Sequence, residues 1–215
     1  MLQAGLHNLR QASVRITEVS PRDGLQHESE FVPTLRKISL INALSRTGVA
    51  EIEASSFVSP AAIPQLADSD EVLRAIDRIP GVAYSALVPN ERGLERARAA
   101  GVDKIAVFTA ASNSFTRHNI KATVQESLVR FRPIVAAAKR DGMAVRAYLS
   151  TVVFCPYEGR IAPTQVRDVM ERLLDLAVDD ISLGETVGKA SPTDIRRLLD
   201  TVLPHVEPAR LSRHF

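Results

Sequence analysis

Short apolar runs rich in β-branched residues alternate along this chain with longer stretches whose apolar residues recur every few positions. The first kind suits strands and the second amphipathic helices. The pattern predicts strands at Val14–Val19, Ala50–Ala54, Val82–Val88, Lys104–Thr109, Val145–Val153, Asp180–Leu183 and Ala209–Arg213. It predicts helices between them at Thr34–Thr47, Ser69–Arg78, Glu91–Ala100, Thr123–Arg140, Thr164–Ala177 and Pro192–Leu203. The punctuation agrees. Gly48, Gly101 and Gly142 follow helices, where a left-handed cap is wanted. Thr34, Thr123 and Ser191 stand as N-caps, and Thr123-Val-Gln-Glu126 reads as a capping box. In the first helix Leu35, Ile38, Ile41, Leu44 and Ser45 form a stripe fit to pack on a sheet.

Strand–helix–strand alternation implies parallel strands joined by right-handed crossovers. An open doubly wound sheet and a TIM (β/α)₈ barrel both satisfy it. A dinucleotide-binding sheet wants a glycine-rich turn after its first strand, and neither that motif nor a P-loop is present. Polar residues recur instead after almost every strand, as the mouth of a barrel requires. The reading is therefore α/β, a TIM barrel that is incomplete, with seven strands and six helices. A full barrel takes about 250 residues, and Phe215 falls at or just after the seventh strand. Residues 1–13 read as an N-terminal extension and 14–215 as a partial barrel domain. The unpaired edges of its first and seventh strands predict poor solubility.

Composition narrows the function. Of 215 residues, 45% are hydrophobic and 24% charged, with a formal charge of +2. Basic residues form no block, so nucleic acid is not an expected partner. No apolar run is long enough to span a bilayer, so no membrane partner is expected either. Met1–Ala12 has no continuous apolar segment of the signal-peptide kind. The single cysteine, Cys155, cannot form an internal disulfide, which points to a reducing, cytoplasmic location.

Candidate chemistry collects at the strand ends. The segment Ser20-Pro-Arg-Asp-Gly-Leu-Gln26 sets Arg22 and Asp23 side by side where the first strand enters a loop. Asp23 can hold a divalent cation through oxygen, and Arg22 can stabilise an anion forming beside it. Gly24 allows a sharp turn away. Asp-Gly is also a common turn signal, so the pair alone decides nothing. Glu51 and Glu53 share one face of the second strand, with Ser55 and Ser56 following. Thr109, Tyr148, Ser150, Glu185, Thr186 and His214 come from later strand ends. Each has a structural alternative. Glu53 could pair with an arginine in the barrel floor, Tyr148 could be a packed aromatic, and Glu185 could cap the next helix. Cys155 reads as a small packed residue rather than a reactive thiol. His7 and His205 read as surface residues. Together, one carboxylate, one imidazole and added oxygens suit Mg²⁺ or Mn²⁺. Such an ion could hold a hydroxyl and a neighbouring carbonyl while a base takes the hydroxyl proton and a C–C bond breaks to an enolate.

Four ordered segments carry a resemblance: Ser20–Gln26, Glu53-Ala-Ser-Ser-Phe-Val-Ser-Pro60, Cys155-Pro-Tyr-Glu-Gly159 and Ile181-Ser-Leu-Gly-Glu-Thr-Val-Gly188. From Val14 to Phe215 the chain resembles the hydroxymethylglutaryl-CoA lyases, metal-dependent enzymes built on a TIM barrel. The resemblance implies cleavage of 3-hydroxy-3-methylglutaryl-CoA to acetyl-CoA and acetoacetate with Mg²⁺ or Mn²⁺. It implies an acyl-CoA substrate as partner and allows a homodimer in the complete enzyme. By position Arg22 matches the family's essential arginine, with Glu53 and Glu185 beside it in the catalytic set. Arg22, Gln26, Ser56, Tyr148 and Thr186 match substrate-binding positions. Asp23 matches the metal-binding aspartate, and His214 the first histidine of a His-x-His metal pair. The second histidine, an asparagine ligand and a loop cysteine have no counterpart up to Phe215, and Cys155 does not match that cysteine. His27 stands where the family often has asparagine, and Glu185 where it often has aspartate. The expectation is an N-terminal portion of such an enzyme with little turnover. A related lyase for a bulkier 3-substituent, a condensing enzyme of the superfamily, and a non-catalytic binder remain the alternatives.

Overall fold

Residues with alternating character build strands that bury one face against helices and turn the other inward. The computed structural model describes residues 14–214; the extension predicted for residues 1–13, His7 within it, and Phe215 lie outside them. The strands are β1 (Thr17–Glu18), β2 (Glu51–Ser56), β3 (Ala83–Leu87), β4 (Lys104–Ala110), β5 (Ala144–Ser150), a small hairpin of β6 (Phe154–Cys155) and β7 (Gly159–Arg160), β8 (Asp180–Gly184) and β9 (Leu211–His214). The helices are α1 (Thr34–Leu44), α2 (Ser69–Ala75), α3 (Glu91–Ala99), α4 (Asn113–Ile120), α5 (Val124–Arg140), α6 (Pro163–Leu174) and α7 (Pro192–Val202). Seven strands form one sheet in the order β1-β2-β3-β4-β5-β8-β9, every pair parallel. The sheet curls into an incomplete TIM barrel. Arg146 on β5 reaches Thr17 on β1 at 3.3 Å and Glu51 on β2 at 2.9 Å, so strands far apart in the sheet face one another across the interior.

The core lies between sheet and helices. Ile52, Ala86, Ile105, Val107, Val145, Ala147, Leu149, Ile181 and Leu183 point to the helices and are almost completely enclosed. Their neighbours Glu51, Ser85, Lys104, Arg146 and Asp180 point inward as a charged floor. Lys104 Nζ donates to Glu51 Oε2 at 3.0 Å and to Asp180, and Arg146 donates to Glu51 and Asp180. Burial opposes the Arg146 charge, but Asp180 and Glu51 more than offset that and hold its pKa above the ordinary arginine value.

Several boundaries differ from expectation for local reasons. β1 is two residues long, because Pro21 opens a helical turn and Val14 and Ile16 lie exposed. β5 stops at Ser150, because Thr151 adopts φ 56° and turns the chain into the hairpin. β9 begins at Leu211, after a helical turn over Pro208–Arg210. α4 was not anticipated; Ser112 caps it by accepting from Phe115 N–H at 3.1 Å. Gly48, Gly101 and Gly142 take positive φ as expected. The Thr123–Glu126 capping box forms, and Ser191 caps α7. Thr34 is not a cap: it lies inside α1 and its hydroxyl donates to Asp68. Leu35 does not join the inward stripe and is 76% exposed, while Lys37 turns inward to Asp68.

The floor is a set of buried ion pairs, so removing one member strands the others. Glu51→Leu is expected to lower unfolding free energy by about 3–5 kcal/mol, read from urea denaturation. A loss below about 1 kcal/mol, the range of exposed pairs, contradicts this account of the floor.

Candidate active site

The turn after β1 carries the first charged groups. Asp23 N–H bonds Val19 O at 2.7 Å, and Leu25 N–H reaches back to Ser20 O, a wide π-type turn. Such turns recur at functional sites. Gly24 lies in this turn without a left-handed conformation; a Cβ there would sit 3.4 Å from Ser20 Cβ. The turn buries Arg22 to 8% exposure and leaves Asp23 partly open.

From there the bonds run inward. Arg22 Nη1 donates to Asp23 Oδ1 at 2.6 Å, and Arg22 Nε donates to Glu53. Tyr148 O–H donates to the other Glu53 oxygen at 2.7 Å. Glu53 is wholly enclosed, with both oxygens engaged. Burial opposes the Arg22 charge, yet Glu53 and Asp23 hold its pKa above the ordinary value. Burial, reinforced by Glu53, pushes the Tyr148 phenol well above the ordinary tyrosine value, so it remains a hydrogen donor.

Above this chain of bonds lies a cavity of about 1010 Å³. Arg22, Asp23, Gln26, Tyr148, Glu185, Thr186 and His214 all line it, Gln26 as the resemblance implies and the others as their strand ends imply. Glu53 and Ser56 do not; they lie behind the wall. Thr109 faces the helices and bonds Ser127. Leu87, Phe108, Phe115 and Phe131 make an apolar wall. Asp23 follows β1 and His214 ends β9, the two outer strands, so the cavity brings the sheet's ends together. Glu185 does not cap α7. Its Oε2 accepts from Gly188 and Lys189 N–H groups, and its Oε1 is buried without a hydrogen-bond partner. Gln26 Oε1 is likewise buried and unpartnered. Thr186 Oγ1 accepts from Thr151 N–H at 2.9 Å, holding the left-handed Thr151 in place. Cys155 is packed, its thiol donating to Ser112 Oγ at 3.0 Å, and His205 pairs with Glu171 on the surface.

The donor set can be tested against the expected cation. Among the described residues no three His, Cys, Asp or Glu side chains converge closely enough to hold an ion by themselves. Asp23 and His214 offer one carboxylate and one imidazole to the same cavity, and Gln26 adds an unpartnered buried amide oxygen. These fit part of a coordination sphere for a hard divalent ion, which takes about six donors.

A family model described as HMGL-like matches residues 13–215. The chain belongs to the HMGL-like family. Hydroxymethylglutaryl-CoA lyase, mitochondrial, of Bos taurus is 47% identical over 201 residues, covering 94% of this chain and 62% of that protein. 3-Hydroxy-3-methylglutaryl-CoA lyase, cytoplasmic, of Mus musculus is 46% identical, covering 94% and 59%. The crystal structure of the HMG-CoA lyase from Brucella melitensis superposes with a TM-score of 0.92 at 50% identity, covering 94% of this chain and 71% of that one. The chain thus spans about three-fifths of the length of these two sequence relatives.

What sequence reasoning missed in this HMGL-like chain is the support beneath the cavity. The floor partners Lys104, Arg146 and Asp180 went unnoticed, although they alternate with apolar residues along their strands. Phe115 went unnoticed because α4 did; Ser112 followed by an apolar residue three positions on was the available signal.

The Tyr148 phenol has a raised folded-state value, so it stabilises the fold below the unfolded tyrosine value of about 10. That contribution is lost as pH rises above about 10. Urea denaturation at pH 9 and pH 11 is expected to show a smaller loss of stability in Tyr148→Phe than in the parent. Equal losses contradict the assignment.

Proposed function

We propose that this chain forms the substrate-facing part of a carbon–carbon lyase that cleaves 3-hydroxy-3-methylglutaryl-CoA to acetyl-CoA and acetoacetate. The observation that carries the reading is Arg22, fixed by Glu53 and Asp23 and lining the cavity that His214 shares. The names of the relatives support the substrate, an acyl-CoA thioester.

In this reading Arg22 donates to the thioester oxygen and stabilises the enolate that forms there as C2–C3 breaks. Glu185 Oε1 accepts the proton of the 3-hydroxyl, leaving the ketone of acetoacetate, and that proton then passes to C2 of the enolate to give acetyl-CoA. Gln26 and Thr186 orient the substrate's polar groups, and the wall of Leu87, Phe108 and Phe115 keeps water from the enolate. Divalent-metal dependence is general in this family. Here Asp23 and His214 would hold Mg²⁺ or Mn²⁺, which supplies Lewis acidity toward the hydroxyl and a neighbouring carbonyl oxygen. Cys155, the chain's single cysteine and buried, supports a reducing compartment such as the cytoplasm. The relatives carry both mitochondrial and cytoplasmic names, and no helix among the described residues is long and apolar enough to cross a membrane.

Incubating excess chain with 3-hydroxy-3-methylglutaryl-CoA and Mg²⁺ tests the reading, because slow turnover still registers. Equal amounts of acetyl-CoA and acetoacetate are expected, abolished by EDTA and lowered by about 10²–10³ in Arg22→Met. Thioester binding without cleavage by the metal-saturated chain contradicts it. Competition with a thioester bearing a longer 3-substituent separates the bulkier-substrate alternative. Independently of turnover, Asp23→Asn is expected to weaken Mn²⁺ binding about 10-fold or more, measured by electron paramagnetic resonance. Unchanged Mn²⁺ affinity removes Asp23 from the ligand set.

A further inference from the structure

The β6–β7 hairpin takes no part in the chemistry above, yet its tip is fastened to α4 at three points. Glu158 Oε1 accepts the Ser114 N–H at 2.7 Å, one of the amides that the first turn of α4 leaves without a helical partner. The Tyr157 ring lies flat on the His118 ring, with 4.0 Å between centres and 11° between planes. The Cys155 thiol donates to Ser112 Oγ, the same atom that caps α4 by accepting from Phe115 N–H. Burial opposes the Glu158 charge, but bonds from Ser114 and Ser112 and the nearby Arg117 outweigh it and hold its pKa below the ordinary glutamate value. On its other side the hairpin is braced against α7, where Arg160 Nη1 donates to Asp194 at 2.6 Å.

α4 needs such fastenings. It is eight residues long and rich in Asn, Ser and Thr, too short and too weak in propensity to persist by itself. It nevertheless brings Phe115, Asn119 and Ile120 to the cavity. The Phe115 ring sits between Phe108, 6.3 Å away centre to centre, and Tyr157, at 6.4 Å. Tyr157 and Glu158 do not line the cavity themselves. The far end of α4 is held separately by α5, through Arg130 donating to Ile120 O at 3.2 Å.

We infer that Tyr157 and Glu158 are positioning residues, through which the hairpin clamps α4 and sets the Phe115 wall against which the acyl-CoA thioester binds. The thioester part rests on the cleavage reading; the clamping of α4 does not. Arg22, Asp23, Glu185 and His214 stand on other elements, so a loosened clamp weakens binding and spares the bond-breaking step.

Amide hydrogen exchange of the full chain without substrate reads the clamp. Glu158→Ala is expected to speed exchange across residues 115–120 by about 3- to 30-fold, the worth of a lost helix cap, with β4 and β5 unchanged. Glu158→Gln keeps an oxygen for the Ser114 N–H and is expected to restore most of the protection. Affinity for 3-hydroxy-3-methylglutaryl-CoA, measured in EDTA so that none is cleaved, is expected to fall in Glu158→Ala by about 3- to 30-fold as well. The single-turnover rate at saturating substrate and Mg²⁺ is expected to stay within about twofold of the parent. The sign is diagnostic, because the thioester is an anion and loss of a nearby carboxylate would by charge alone tighten binding. Exchange across 115–120 unaltered in both Glu158→Ala and Tyr157→Ala overturns the inference. So does a loosened α4 with unchanged or tighter thioester binding, or a fall in the saturated rate with affinity kept. Should Glu158→Ala not fold, Tyr157→Ala, at a position 52% exposed, carries the same comparisons. A chain that shows the expected exchange and binding but never cleaves sinks the lyase reading and leaves the clamp standing.

Discussion

A carboxylate removed from water must find a donor for each oxygen, and Glu53 meets that demand with Arg22 on one side and Tyr148 on the other. The rest of the site depends on this. β2 supplies Glu53, the turn after β1 supplies Arg22, and β5 supplies Tyr148. One enclosed group thus ties together strands that are not neighbours in the sheet. It also fixes the charge at the cavity wall, since Asp23 is drawn to the far edge of the same guanidinium.

The barrel interior continues the principle downward. Below Glu53 the same face of β2 presents Glu51, which accepts from Ser85, Lys104 and Arg146. Arg146 then reaches Thr17 on β1. Buried ion pairs add little net stability over apolar packing, but they fix which groups face one another. In this chain they hold the curl of a sheet whose outer strands, β1 and β9, are not paired to each other. That curl sets Asp23 and His214 around one cavity.

Much of this was legible in the sequence. All seven strands of the barrel sheet overlap the runs predicted for them, because their apolar residues face helices and must be buried. That Arg22, Asp23, Tyr148, Glu185, Thr186 and His214 share one cavity was legible because parallel strands deliver their ends to one mouth; Gln26 came only with the family resemblance. The misses have physical causes. Pro21 and Thr151 shortened β1 and β5 by backbone conformation, which hydrophobic periodicity does not register. α4 runs through Asn, Ser, Thr and His, weak helix formers that only its cap and its packing hold in place. The partners of the buried charges were illegible for a different reason. Arg146 and Glu51 stand 95 positions apart in sequence, and so do Tyr148 and Glu53. No local pattern links them; only the curl of the sheet does.

The account turns on where the free edge of one guanidinium points and on what gathers opposite it. A crystal structure of the chain soaked with Mn²⁺ and an uncleavable thioester analogue measures both at once. The account predicts Arg22 Nη2 within hydrogen-bonding distance of the thioester oxygen, and a single ion bound by both Asp23 and His214. A thioester lying beyond reach of Arg22, or an ion held by neither residue, would contradict it.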